Sequence, residues 1–261
     1  IDCCLDLRVP LGANMLYYFC GYSLTATPGK AGEAIRLWLL KSGHGIAYTR
    51  SMPLMLADRS LDIWAVMLLT LVSFSGFQVY RWYGAALLLL VVAVSLPIVW
   101  PRVMEPLLLA AAGRMKRRIR LLVRLRRIQR AMDRLSSWRT YGATMLPSVI
   151  GWLAEAAALY VLLQYFGAEV SLSNAVFVFS FSMIVGAISM LPGGLGSTEA
   201  TMVVLLTALG VNLEVALLST AIVRATTFWF AVVIGILLTP PALTASRRAA
   251  TGAMFEMKGA R

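Results

Sequence analysis

The sequence predicts an all-α membrane protein, a polytopic helix bundle with two inverted-repeat hairpins that are re-entrant or built from broken helices. Three observations support this fold class. Of the 261 residues, 59% are hydrophobic and only 14% are charged, whereas about a quarter of the residues in a soluble domain are charged. Several apolar stretches are as long as a membrane span. Two further apolar stretches are interrupted by proline and glycine at matching positions.

Six apolar segments define the predicted membrane elements. A helix needs about 20 residues to cross a hydrocarbon core of roughly 30 Å. Four uninterrupted stretches meet this length, near 52–74, 83–103, 140–165 and 214–238. Two more, near 11–40 and 172–209, contain Pro-Gly clusters. Because non-helical backbone at membrane depth is tolerated only where protein or water satisfies it, we expect these two to be the hairpins.

The net charge of +12 is unevenly distributed along the chain. Between Arg102 and Arg139 there are twelve Lys/Arg residues and two acids, so this loop is predicted to be cytoplasmic. Counting spans outward from it also places Lys41, Arg50 and the C-terminus inside. The predicted organisation is a first membrane half (1–104), a basic amphipathic cytoplasmic helix (105–139), a second membrane half (140–240) and a basic cytoplasmic tail (241–261).

The basic segment has the periodicity of an amphipathic helix, with arginines on its other faces. Its apolar residues recur every three or four positions, at Leu121, Leu125, Ile128, Met132 and Leu135. One interpretation is a helix on the anionic inner leaflet, where each basic residue contributes about 1 kcal/mol. The other is a solvated topology anchor. Nucleic acid is not an expected partner.

The two Pro-Gly clusters belong to a longer internal repeat. Pro28-Gly29-x-x-Gly32-Glu33 matches Pro192-Gly193-x-x-Gly196, and Glu199 follows two residues later than its counterpart. Arg59 comes 26 residues after Glu33, and Arg224 comes 25 residues after Glu199. A tryptophan follows each arginine five residues on, at Trp64 and Trp229.

Three predicted spans separate the two repeat units, so the second unit is inverted relative to the first. Inverted repeats with broken helices are typical of transporters, whose substrate site lies near the bilayer midplane between the two units. We therefore expect one hairpin to open toward the cytoplasm and the other toward the outside.

The charged residues within these apolar segments include Glu33, Arg36, Asp58, Arg59, Asp62, Glu155, Glu199 and Arg224. A charge at the bilayer centre costs roughly 2.5–3.5 kcal/mol on insertion scales, so they need partners or a wet cavity. Arg59 and Asp62 are three residues apart, and so are Glu33 and Arg36, which allows purely structural pairs. Because buried ion pairs are rarely a net source of stability, a polar path is the better interpretation.

The predicted polar site suits a phosphate group. Helix N-termini and arginine forks both bind phosphate, so Arg59 and Arg224 are expected to contact an anionic headgroup, or to hold Glu33 and Glu199 until it arrives. The acids are alternatively proton carriers. The predicted substrate-binding residues are Lys30, Glu33, Arg36, Asp58, Arg59, Asp62, Gly194, Gly196, Ser197, Glu199 and Arg224.

Common catalytic and cofactor sites are not indicated. The chain has one histidine and three cysteines without C-x-x-C spacing, so no metal or other cofactor is expected. Two alternatives to transport remain open. One is an intramembrane enzyme that acts on lipid-linked phosphates, with Glu33, Asp58, Asp62 and Glu199 as acid–base groups. The other is a non-transporting scaffold that recruits a partner through residues 114–135.

Three motifs resemble the transmembrane, flippase-like domain of lysylphosphatidylglycerol synthases and its stand-alone relatives. They are residues 27–36 (TPGKAGEAIR), residues 58–62 (DRSLD) and residues 191–200 (LPGGLGSTEA) with Arg224 downstream. The resemblance implies a multi-pass protein of the bacterial inner membrane that moves or presents lipids, such as anionic phospholipids or hopanoids. It also implies further N-terminal spans, in keeping with a first residue that is Ile. The soluble domain that attaches lysine to lipid in the synthases does not follow residue 240, so synthase activity is not expected. The resemblance leaves the oligomeric state open.

Overall fold

The computed structural model describes residues 9–27, 32–73, 89 and 138–259, and every regular element in these ranges is helical. The α-helices are α1 (Leu11–Gly21), α2 (Gly32–His44), α3 (Tyr48–Ser73), α4 (Trp138–Tyr165), α5 (Leu172–Ile188), α6 (Ser197–Ala208), α7 (Leu213–Arg224) and α8 (Phe230–Gly259). The all-helical prediction is confirmed for this part of the chain. The predicted span 83–103 and most of the predicted basic helix 105–139 lie outside the described residues.

Both Pro-Gly segments separate pairs of short helices. After α1 comes a 3-10 turn, Tyr22–Leu24, and then α2; after α5 comes a 3-10 turn, Pro192–Gly194, and then α6. These four helices have 11 to 17 residues, or about 16–26 Å at 1.5 Å per residue. Each is shorter than the roughly 30 Å hydrocarbon core. The helices of each pair pack against each other, so each pair is a helical hairpin.

The long apolar helices lie outside the hairpins. Within the described ranges, two helical segments are long and apolar enough to cross a membrane, Gly142–Tyr165 and Leu213–Thr251. The second segment contains α7, a π-helical turn at Ala225–Trp229, and most of α8. Its 39 residues extend about 58 Å, which is nearly twice the thickness of the hydrocarbon core. The helix continues through residues 241–259, the predicted tail.

Helix α4 is apolar on both its buried and its exposed faces. Ala156, Leu159 and Leu163 are fully buried in the bundle. Leu146, Ile150 and Val161 are 57–62% exposed on the outer side. A soluble surface helix has a polar outer face, whereas a helix that is hydrophobic all round is typical of a buried or membrane-spanning position. No described residue covers these outer apolar side chains, so an apolar outer face of this kind indicates contact with lipid.

The C-terminal helix joins the two halves of the bundle. A core of α4–α7 side chains, including Phe179 and Met202, fills the second half. A separate core in the first hairpin contains Tyr17, Leu39 and Ala242. Since Ala242 belongs to α8, this helix packs against α1 and α2 of the first hairpin although it follows the second half in the chain.

The crossing of α8 over the first hairpin requires a glycine. A Cβ atom at Gly235 would lie 2.6 Å from the carbonyl carbon of Tyr22 and 2.8 Å from Cα of Ser23. Both are backbone atoms of the 3-10 turn, so side-chain rotation cannot relieve the overlap. The helix therefore contacts the turn that ends α1, backbone against backbone.

Three contacts place the open ends and the breaks of the hairpins. Ser42 at the end of α2 lies 2.9 Å from Ser246 of α8, Oγ to Oγ. At the start of α5, Ser173 donates a hydrogen bond to the carbonyl of Ser73, the last residue of α3 (3.1 Å). At the breaks, a Cβ atom on Gly193 would lie 3.6 Å from Cα of Ala26. The breaks thus approach each other, while the open ends contact different helices, α8 for the first hairpin and the end of α3 for the second.

Replacing Gly235 by Ala should destabilise the fold, because the added methyl group overlaps backbone atoms. Overpacking of this kind costs about 1–3 kcal/mol. The measurement is the melting temperature of the purified protein in detergent. The matched control is Gly142→Ala in α4, where a Cβ atom would meet nothing within 4 Å. The control should be neutral or slightly stabilising; equal melting temperatures for both variants would contradict the close crossing.

Candidate functional site

A cavity of about 470 Å³ lies between the two halves, and six charged residues of the helices line it. Its lining comes from both hairpin regions and from α3 and α4. The charged residues that line it are Arg36, Asp58, Arg59, Asp62, Glu155 and Arg224. Three are basic and three are acidic, so their formal charges cancel. The cavity is therefore a balanced polar site inside an apolar bundle.

Arg224 is the most enclosed of these residues, with 5% of its side chain exposed. Its Nε donates to Oε1 of Glu199 at 2.6 Å, and its Nη2 donates to the carbonyl oxygen of Gly193 at 3.2 Å. The guanidinium lies over the ring of Phe228, with its central carbon 4.5 Å from the ring centroid. A charge-assisted bond, a carbonyl and an aromatic face thus hold one arginine from three sides.

The glycine-rich loop before α6 provides this environment. Gly193, Gly194 and Gly196 all have positive φ angles, of 62°, 67° and 85°, a backbone region that favours glycine. The loop turns the chain so that the carbonyl of Gly193 reaches Arg224. Glu199 Oε2 accepts from the backbone N–H of Gly196 at 2.7 Å. The same carboxylate therefore caps α6 and neutralises Arg224.

The loop is also tied to the end of α5. Ser197 Oγ lies 2.8 Å from Oγ of Ser189 and donates to the carbonyl of Gly194 at 3.0 Å. A Cβ atom on Gly186 would overlap Thr198, so the absence of a side chain there allows α6 to start against α5. The loop position is thus determined by local packing within the second hairpin.

Arg36 occupies a comparable environment in the first half. It is buried, and its Nη1 donates to Oδ2 of Asp58 at 3.0 Å. Its Nη2 donates to Oδ1 of Asn14 at 3.4 Å, and the guanidinium carbon lies 5.1 Å from the ring centroid of Tyr18. As in Arg224, an acid, a neutral oxygen and an aromatic ring surround the charge.

Arg59 forms its pair within its own helix. Its Nη2 lies 3.0 Å from Oδ2 of Asp62, and both side chains are 29% exposed. The other oxygen of Asp62, Oδ1, accepts from Nε1 of Trp152 at 3.3 Å. Because Trp152 belongs to α4, this hydrogen bond connects the two halves across the cavity.

The structure brings most of the predicted substrate-binding residues together. Arg36, Asp58, Arg59, Asp62 and Arg224 line the cavity. The other four whose side chains are described form the loop and the helix start that hold Arg224: Gly194, Gly196, Ser197 and Glu199. Lys30 lies outside the described residues, and for Glu33 only the helical backbone is described. Helix α6 starts at Ser197, so Gly194 precedes it.

The repeat predicted from the sequence is only partly visible in the side chains. The Arg224–Glu199 pair forms as proposed, and Arg59 pairs with Asp62 as its spacing allows. In burial and surroundings, however, Arg36 resembles Arg224 more closely than Arg59 does. The matching tryptophans also differ, since Trp64 has a buried Nε1 and Trp229 is 49% exposed.

Several lining residues were not predicted as substrate-binding, namely Tyr18, Trp152, Glu155, Gly193 and Phe228. Two of these residues could have been found from their spacing in the sequence. Phe228 follows Arg224 by four residues, and Trp152 precedes Glu155 by three, so each pair shares a helix face. Nothing in the sequence indicated Tyr18. Within the described ranges, no group of three or more His, Cys, Asp or Glu residues is arranged to hold a metal ion.

Comparisons with known proteins agree with this architecture. The profile of the family described as "Lysylphosphatidylglycerol synthase TM region" matches residues 3–235. A UPF0104 membrane protein of Methanothermobacter thermautotrophicus is 26% identical over 241 residues, which cover 84% of this chain and 71% of the relative. A UPF0104 membrane protein of Pyrococcus horikoshii is 26% identical over 236 residues, covering 80% and 70%. No solved structure matches the chain.

These two relatives are archaeal, so the bacterial inner membrane remains a prediction for this chain. The cytoplasmic positions of the basic loop and of the C-terminus remain predictions too. The family match extends over both hairpins and every lining residue of the cavity. The chain belongs to the membrane-protein family defined by the transmembrane region of lysylphosphatidylglycerol synthases.

Proposed function

We propose that this protein is a lipid translocase, in which the headgroup of a phospholipid or related lipid enters the cavity while its acyl chains stay in the bilayer. The observation that carries the proposal is the cavity itself. Arginines and carboxylates from both halves of an apolar bundle line one space of about 470 Å³. Ionisable residues inside membrane bundles typically mark a substrate or ion path, because they are costly to bury for structure alone.

The contacts at the hairpin ends support an inverted arrangement in the membrane. Ser42 and Ser246 lie together near Lys41 and Arg247, the residues predicted to be cytoplasmic. Ser173 lies against Ser73 at the far end of α3, which predicts the outer side. In this arrangement the hairpins enter from opposite leaflets and their breaks meet between them, as inverted-repeat transporters require.

The chemistry of the cavity favours a headgroup that contains phosphate. Arginine guanidinium groups form bidentate hydrogen bonds with phosphate oxygens. Three arginines line the cavity, yet each already has an acidic partner among Asp58, Asp62 and Glu199. The cavity is therefore expected to bind a phosphate by exchanging partners, with no net excess of positive charge among its lining residues. Such exchange permits release on the opposite side.

Replacing Arg224 by Gln should abolish lipid translocation in vesicles. The assay uses the full chain reconstituted in vesicles with fluorescently labelled phosphatidylglycerol. The measurement is the fraction of the label that an impermeant quencher can reach, which changes when the lipid crosses the bilayer. The substitution also leaves Glu199 without its cation, a loss on the order of 3 kcal/mol. A second variant, Arg224→Gln with Glu199→Gln, restores a neutral pair and should recover most of the thermal stability while translocation stays absent.

The matched control for this experiment is Arg247→Gln, an exposed arginine of α8 that does not line the cavity. It should translocate lipid at the wild-type rate. Wild-type rates in the stable Arg224→Gln, Glu199→Gln double variant would remove Arg224 from the transport path. A wild-type protein that moves none of the lipids tested would remove the translocase assignment for them.

The inverted arrangement predicts opposite labelling of two engineered cysteines. In a background with the native cysteines replaced by serine, Ala47→Cys precedes α3 and Glu169→Cys lies in the loop before α5; both positions are exposed. An impermeant maleimide added to intact cells should label position 169 and should reach position 47 only after the cells are lysed. Labelling of both positions from the same side would contradict the proposed topology.

A further inference from the structure

We propose that Arg59 is the residue that takes the headgroup phosphate, and that it does so by exchanging Asp62 for the phosphate while Trp152 keeps Asp62 in place. This inference rests on the proposed function and specifies the ligand chemistry of the same cavity, a phosphate or phosphodiester anion. Asp62 and Trp152 act through Arg59, so they are positioning residues.

The three cavity arginines differ in how tightly they are enclosed. Their exposed side-chain fractions are 11% for Arg36, 5% for Arg224 and 29% for Arg59. Moving either of the two enclosed guanidinium groups toward a ligand would also break its contacts with a neutral oxygen and an aromatic ring. Arg59 is the arginine whose side chain a ligand in the cavity can reach most readily.

The ion pair between Arg59 and Asp62 is of a kind that exchanges easily. The two residues are separated by three positions on α3, and both side chains are partly exposed. Pairs of this geometry contribute little to helix stability. A phosphate offers two oxygens to the arginine fork, whereas Asp62 contacts Arg59 through Oδ2 and gives Oδ1 to Trp152. A phosphate in the cavity therefore competes effectively with Asp62.

Asp62 has a second partner that remains after the exchange. Arg59 contacts Oδ2, whereas Trp152 donates its Nε1–H to Oδ1 at 3.3 Å. Because the two partners use different oxygens, the carboxylate keeps one hydrogen bond when Arg59 leaves. Trp152 lies on α4, so the second half of the chain determines how readily the first half releases its arginine. This cross-cavity bond is the feature that the exchange depends on.

The test measures binding of fluorescent phosphatidylglycerol to the full chain in detergent by anisotropy. Asp62→Asn preserves the shape and the acceptor for Trp152 but removes the charge that competes for Arg59. It should tighten binding by roughly fivefold, the upper range for a partly exposed pair. Trp152→Phe removes the N–H donor and keeps an aromatic ring at the position. It should weaken binding by about twofold or more, because Asp62 then holds Arg59 more firmly.

The opposite signs of these two effects separate exchange from a structural role, since loss of structure would weaken binding in both variants. The gain from Asp62→Asn should disappear in an Arg59→Gln background, which completes a double-mutant cycle. If Asp62→Asn still tightens binding in the Arg59→Gln background, the inference is overturned, because the tighter binding then reflects only the electrostatic potential of the whole cavity. Unchanged or weaker binding by a stable Asp62→Asn protein would overturn it as well.

Asp58→Asn provides the matched contrast. This carboxylate pairs with the enclosed Arg36, so its neutralisation should lower the melting temperature without tightening the binding of phosphatidylglycerol. Tighter binding by Asp58→Asn, equal to that of Asp62→Asn, would overturn the assignment of the exchange to Arg59.

Competition with inorganic phosphate tests whether the anion that binds Arg59 is a lipid headgroup or free phosphate. If inorganic phosphate displaces phosphatidylglycerol and responds to Asp62→Asn by the same factor, the exchange at Arg59 is supported. Binding of inorganic phosphate alone would support the exchange and contradict a lipid ligand, and with it the proposed function. Conversely, a wild-type protein that translocates lipid, with no change in affinity in Asp62→Asn, would contradict the exchange and leave the proposed function intact.

Discussion

The architecture depends on one constraint: a charge inside an apolar helix bundle must have a partner close by. Arg36, Arg59 and Arg224 each have a carboxylate within 3.0 Å. Because the cost of an isolated charge in such surroundings is large, the two pairs that join different helices, Arg36–Asp58 and Arg224–Glu199, restrict which helix faces can meet. The cavity between the halves is the place where the faces that carry charge come together.

The breaks in the helices provide backbone partners for the same charged residues. A continuous helix satisfies its own carbonyl groups and has none to offer, whereas a broken helix leaves carbonyls for other donors. Arg224 uses the carbonyl of Gly193, and Glu199 uses the amide of Gly196. The glycines therefore serve the ion pair as well as the turn. In the first half, Arg36 finds its neutral partner in the side chain of Asn14.

The long C-terminal helix contacts both hairpins and so holds them around one site. Phe228, in the π-helical turn just before this helix, covers Arg224. Within the helix, Gly235 contacts the break of the first hairpin and Ser246 contacts its open end. A displacement of this helix would therefore change contacts at both hairpins. The π-helical turn that contains Phe228 lies at the cavity wall. Departures from regular helix geometry of this kind often accompany functional sites.

The sequence by itself indicated what depends on neighbouring positions along the chain. These features are the helical class, the Pro-Gly breaks, the spacing that allows the Arg59–Asp62 pair and, as one of two roles proposed from the internal repeat, the pairing of Arg224 with Glu199. Three-residue spacing on a helix and proline's missing N–H have the same consequences in any context. The tertiary structure alone decided that Arg36 meets Asp58, that Trp152 holds Asp62 and that Gly235 crosses Ser23. These contacts join helices whose relative rotation and depth are set by packing over their whole length, and no local pattern encodes that rotation.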